Sequence, residues 1–170
     1  MSLSMYQAAV PPFVRALATL KYLLAKGEAH CTARGVDPAT LLGARLALDM
    51  LPLTRQLQMV SDSAKGAGAR LAAVAVPSFP DTETSFAELQ ARLDKTIDFL
   101  KGLDEAAFAG AAEREVKLKT GASEHVFTGL DYLQGFALPN AFFHLVTAYN
   151  ILRHNGVEIG KMDYLTGGRA

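Results

Sequence analysis

A single cysteine, Cys31, supplies the only thiol in 170 residues. An internal disulfide is therefore impossible, and a zinc site built on several cysteines is excluded. Only Arg34 nearby would favour the thiolate, so Cys31 is expected to be unreactive. An excess of one charge is also missing, because Lys plus Arg and Asp plus Glu number 17 each. A neutral chain has no electrostatic footprint for nucleic acid, and the same balance argues against an anionic membrane surface. No run approaches the ~18 uninterrupted apolar residues of a membrane span. Met1-Ser2-Leu3-Ser4 lacks a basic stretch followed by an apolar run, so a cytoplasmic protein is expected. There is no internal repeat, no low-complexity tract and no glycine-rich phosphate loop. Half of the residues are hydrophobic and a fifth are charged. That composition suits one globular domain over residues 1–170.

What the chain does have is helical periodicity. Met5, Ala9, Phe13, Leu17, Leu20 and Leu24 recur every three or four residues and predict a helix near 4–32. Pro11-Pro12 should restart or kink it near its first turn. Asp37-Pro38 reads as an N-cap followed by proline at the first helical position. Leu42, Leu46, Met50, Leu53, Leu57 and Val60 then predict a second helix near 38–74, kinked at Pro52 and apolar on more than one side. Ser85 with Glu88 has capping-box spacing and opens a third helix, near 84–103. Val116, Leu118 and Val126 change the period to two, and Gly121-Ala122-Ser123 between them predicts a small exposed hairpin. Pro139 opens a last helix near 138–155, closed by Gly156. The tail to Ala170 has no usable period. The expectation is an all-α four-helix bundle with a small β-hairpin before the last helix.

Bundles build sites from side chains on facing helices, so the informative residues are polar ones on apolar arcs. Stepping ~100° per residue from Phe142, Leu145, Val146, Tyr149 and Leu152 share one arc. Asn150 and Arg153 fall within it and His154 at its edge, whereas His144 points nearly opposite and reads as an outer-face histidine. His125 reads as a hairpin surface residue and His30 as a helix-end residue. On the second helix Asp49 and Gln56 fall beside Leu42, Leu53 and Val60. A carboxylate on a core stripe must be paired, hydrogen-bonded or metal-bound. Asp49, Gln56, Asn150, Arg153 and His154 are thus expected around one polar pocket. Asp49 paired with Arg153 or Arg45 would explain it structurally.

The segment from Leu138-Pro139-Asn140 through Tyr149-Asn150-Ile151-Leu152-Arg153-His154-Asn155-Gly156-Val157 to Gly160-Lys161 and Asp163-Tyr164-Leu165 resembles a bacterial family of unknown function. Ser4-Met5-Tyr6, the Asp49-Met50-Leu51-Pro52 core of Leu46 to Gln58, and Phe127-Thr128-Gly129 are similar to the same family. It looks like a branch of the DinB/YfiT-like superfamily. The resemblance implies a four-helix bundle, often homodimeric, that in many members binds a divalent metal. A histidine on the second helix and a His-x-x-x-His pair on a later one hold that metal. Some relatives are thiol-dependent transferases or isomerases. Here Asn150-x-x-x-His154 stands where the paired histidines are expected, and the second helix offers Asp49 in place of a histidine.

Two readings of different class follow. In one, Asp49 and His154 bind a divalent metal or act as acid and base on a small molecule, with Asn150, Gln56 and Arg153 contacting it, in a transferase or hydrolase chemistry. In the other, the chain is a non-catalytic dimeric binding or structural protein whose old site has become a polar network. Both include a homodimer, and neither includes nucleic acid or membrane as a partner.

Overall fold

A computed structural model describes residues 3–120 and 123–169. The expected hairpin turn at Gly121 and Ala122 lies outside the described residues. Helix α1 (Met5–Arg34) begins at a capping box in which Ser4 accepts from the Gln7 amide and Gln7 returns the bond. It passes through Pro11 and Pro12 and ends at Gly35, whose φ of 64° is left-handed. The proline pair removes only two amide donors and its rings lie on the outer side of the helix, so the helix is not restarted. By length and composition α1 could cross a membrane. Phe13, Leu17, Leu20 and Leu24 are buried in the bundle, and this accounts for its apolarity.

The second expected helix is two helices. Asp37 caps α2 (Pro38–Leu42) through the Ala39 amide, and Gly43 ends it. Helix α3 (Leu53–Leu71) starts afresh, with Pro52 as its N-cap in extended conformation. Proline lacks the amide needed to continue a helix and disfavours helical geometry at Leu51 before it. Residues 43–52 instead fold back, with the Leu53 amide bonded to the Ala44 carbonyl at 2.9 Å and Arg45 bonded to the Met50 carbonyl. Helix α4 (Phe86–Lys101) opens on the expected Ser85–Glu88 capping box. Strands β1 (Glu115–Thr120) and β2 (Ser123–Thr128) pair antiparallel, with Val116 opposite Phe127. A short helix α5 (Gly129–Asp131) leads through a wide π turn, Tyr132–Ala137, into α6 (Leu138–His154). The widening suits Pro139, whose ring would clash with the Gly135 carbonyl in a regular α-helix. A last helix, α7 (Lys161–Thr166), was not foreseen and packs on α1.

The bundle is a square in which α3 touches α4 and α6, and α1 touches the same two. Leu17, Leu23, Leu57, Leu89, Leu93, Leu133 and Leu152 are fully buried at its centre. Gly68 permits the α3–α4 approach, since a Cβ there would sit 2.6 Å from Leu100.

Two charged residues among those described are buried here, Lys65 and Arg92. The Arg92 side chain is 2 % exposed and reaches Asp62 at 2.8 Å, Glu83 at 2.9 Å and Asp81 at 3.0 Å. It also donates to Ser61 Oγ and the Pro80 carbonyl. These bonds clasp the connection after α3 onto α3 and α4. Burial of Glu83 opposes its ionisation, but hydrogen bonds from Arg92 and Gln58 outweigh it and hold the carboxyl below its usual range. Replacing Arg92 by Leu removes the cation of Glu83 and leaves Asp62 and Asp81 with one partner each, Lys65 and Arg55. The expected loss is about 3 kcal/mol in urea unfolding, the low end for a broken buried pair because Asp62 and Asp81 keep some water. Lys21→Ala, which breaks the exposed pair with Asp94, is expected to cost less than about 1 kcal/mol.

Candidate functional site

Helices α3 and α6 meet through small side chains. Ala64 and Ala67 on one, and Ala141 and Ala148 on the other, are buried. Two polar pairs bridge this seam. Asn140 Nδ2 donates to Ser63 Oγ at 2.7 Å, and Ser63 donates on to the Met59 carbonyl. One turn along α6, His144 Nδ1 meets Gln56 Oε1 at 2.7 Å. Gln56 Nε2 is already committed to the Leu51 carbonyl at 2.9 Å. Its oxygen must therefore accept, and His144 carries its proton on Nδ1. Nε2 has no hydrogen bond among the described residues. Burial pushes the imidazole below its ordinary value, so His144 is neutral at pH 7. A neutral imidazole oriented at Nδ1 and open at Nε2 can accept a proton or a hydrogen bond.

Exposed apolar residues flank the pair. Phe143 meets His144 edge-on at 5.2 Å and is 57 % exposed. Leu51, whose carbonyl takes the Gln56 amide, is also exposed, as are Leu46 and Leu48 in the same connection.

Of the residues expected around the pocket, only Gln56 occupies the seam. Asp49 lies in the irregular segment before Pro52 and is exposed, because the helix that would have turned it inward is broken there. This removes the geometric basis for pairing Asp49 with His154, Arg153 or Arg45, and among the described residues Asp49 makes no ion pair. His154 is the last residue of α6 and is exposed, as is Arg153, which reaches the Val157 carbonyl. Asn150 is half-buried, one turn from that end. His144, read as an outer-face residue, is the buried histidine. The error lies in the arc. Helix α6 is apolar nearly all round, and the bulky Phe142 and Val146 are on its outer side. The buried face is marked by Ala141, Ala148 and Ile151, more than ~100° away. Alanines aligned with His144 and Asn140 were the signal available. His125 lies exposed on the hairpin as expected, and Cys31 is buried.

The seam fits a divalent metal poorly. Asn140-x-x-x-His144 has the spacing of a paired-histidine site, but an amide stands in the first position and Gln56 on the facing helix. Zinc and nickel favour imidazole, thiolate or carboxylate over amides. Among the described residues no three His, Cys, Asp or Glu side chains cluster. Ser63 and Leu51 already hold the two amide nitrogens in hydrogen bonds.

A family model described as a domain of unknown function, DUF1993, matches residues 5–165. The crystal structure of a DinB family member protein from Shewanella denitrificans is similar, with 39 % sequence identity and a TM-score of 0.87 over 95 % of this chain and 91 % of that one. No curated protein matches the chain.

Two measurements follow from the geometry. The unfolded chain takes up the His144 proton near its ordinary pKa of about 6.5, and the folded chain resists it until lower pH. His144 therefore contributes a loss of stability as pH falls below ~6.5. His144→Gln is expected to flatten the fall in Tm between pH ~7 and ~5. The Cys31 thiol is raised by burial and by the charges of Asp37 and Glu28. A disulfide reagent should label it at the rate of unfolding, so labelling should accelerate sharply in denaturant.

Proposed function

The chain belongs to the DUF1993 family and shares the DinB-like bundle, and we propose that it works there as a non-catalytic, homodimeric binding protein with a vestigial metal site. The observation that supports this reading most is the Gln56 side chain. Both of its ends are used, one on the Leu51 carbonyl and one on His144. The position facing the histidine thus holds the ring by a hydrogen bond. The dimer reading rests on Leu46, Leu48 and Leu51. Leu48 is 99 % exposed and its neighbours about 40 %, an apolar group that a second copy would cover.

The open Nε2 of His144 favours a second reading, a degenerate-site enzyme of transferase or hydrolase type. There the imidazole would take a proton from a small thiol or a water without metal. Asp49, Asn150, Arg153 and His154 are less suited to that step, because the oriented imidazole in the seam is His144.

Metal analysis of the purified, dialysed protein tests the first reading. Its expected outcome is well below one divalent ion per chain, with His144→Gln causing no change. Stoichiometric metal that disappears in His144→Gln would overturn it. Light scattering should give twice the monomer mass, and Leu48→Glu should shift the protein towards monomer. A monomeric wild-type protein would remove the dimer.

A further inference from the structure

On the side of α6 away from the seam, α1, α6 and α7 enclose a groove of about 680 Å³. Its walls are apolar: Pro11 and Pro12 on α1, Phe142 and Leu145 on α6, and Leu165 on α7. Such a volume and lining fall in the range of small-molecule sites. Helix α7 is held in place as a wall. Tyr22 donates to Asp163 at 2.8 Å, and Tyr149 meets Tyr164 edge-on at 6.1 Å. Asp163 in turn caps the Gly160 amide at 2.7 Å.

The charge of the groove is one-sided. Arg15 is the sole ionisable cation or anion among its lining residues, apart from the neutral phenol of Tyr164. It is exposed and makes no ion pair among the described residues. Thr19 and Tyr164 bring hydroxyls to the same lining. The α1 prolines add an acceptor. Pro11 has no amide to offer the Gln7 carbonyl, and Gln7 also lines the groove.

We propose that this groove binds a small amphipathic carboxylic acid, with its carboxylate on Arg15 and its aromatic or branched body between the α1 prolines, Phe142 and Leu165. One guanidinium matches one carboxylate in a two-point hydrogen bond. With no acidic residue in the lining, an amine has no counter-charge there. The apolar remainder rewards a body with few polar atoms, and the flat rings of Phe142 and Tyr164 suit an aromatic one. This site is separate from the Gln56–His144 pair, which faces α3.

Calorimetric titration with 1-naphthylacetate, and with 1-naphthylacetamide as the uncharged counterpart, tests the proposal on the full chain. The acid is expected to bind at least about tenfold more tightly than the amide, the scale of one charge-assisted hydrogen bond. Arg15→Gln should abolish that preference while leaving the fold intact, since Arg15 is exposed. Amide chemical shifts should move around Arg15, Thr19 and Tyr164. Equal binding of acid and amide, a preference that survives Arg15→Gln, no binding of the acid at millimolar concentration, or shifts centred on α3 would each overturn the proposal.

Discussion

Proline at position 52 cannot donate the amide that would carry one helix from residue 38 into the bundle, and much of the site's architecture follows from that missing bond. The chain leaves the helix at Gly43 and re-enters at Leu53, with Pro52 accepting the Gln56 amide as the first bond of α3. Gln56 therefore sits in the first turn of a new helix. There the Leu51 carbonyl, outside the helical ladder, is available to its side chain. The same break places Asp49 in solvent and exposes the leucines at 46, 48 and 51. The break between Gly43 and Leu53 thus shapes both what enters the seam and what lies exposed outside it.

The seam itself depends on small residues. Alanines on α3 and α6 let the two backbones approach, and close approach leaves room only for polar groups that bond each other. Asn140 and Ser63, then His144 and Gln56, meet that requirement in consecutive turns. Arg92 solves the same problem at the opposite side of α3 with three carboxylates, a hydroxyl and a carbonyl. Phe79 lies beneath three cations there, with Lys95 Nζ 4.1 Å from its ring centre. Buried polar groups in this molecule are matched almost completely; among the described residues only Gln90 Oε1 is buried without a partner. Buried polarity in this bundle ties elements together, whereas His144 Nε2 has no hydrogen bond among the described residues and is not one of the buried unpaired atoms.

Local signals in the sequence determined the bundle. The stripes of α1 and α4, the capping box at Ser85 and the alternation around Val116 act within a few residues, and each appears in the structure near its expected place. Gln56 was legible as inward-facing because it falls beside Leu53 and Val60, which are buried on α3. Asp49 was not, because a periodic stripe of leucines runs unbroken across Pro52 although the backbone does not. Only the tertiary structure decided which side of α6 is inside. Its apolar residues surround the helix, so periodicity carries no direction, and the choice falls to the close packing of Ala141 and Ala148 against α3. That packing turns His144 inward and leaves His154 at the exposed helix end. A single helix cannot encode such a choice, because its physical cause is the shape of the neighbour.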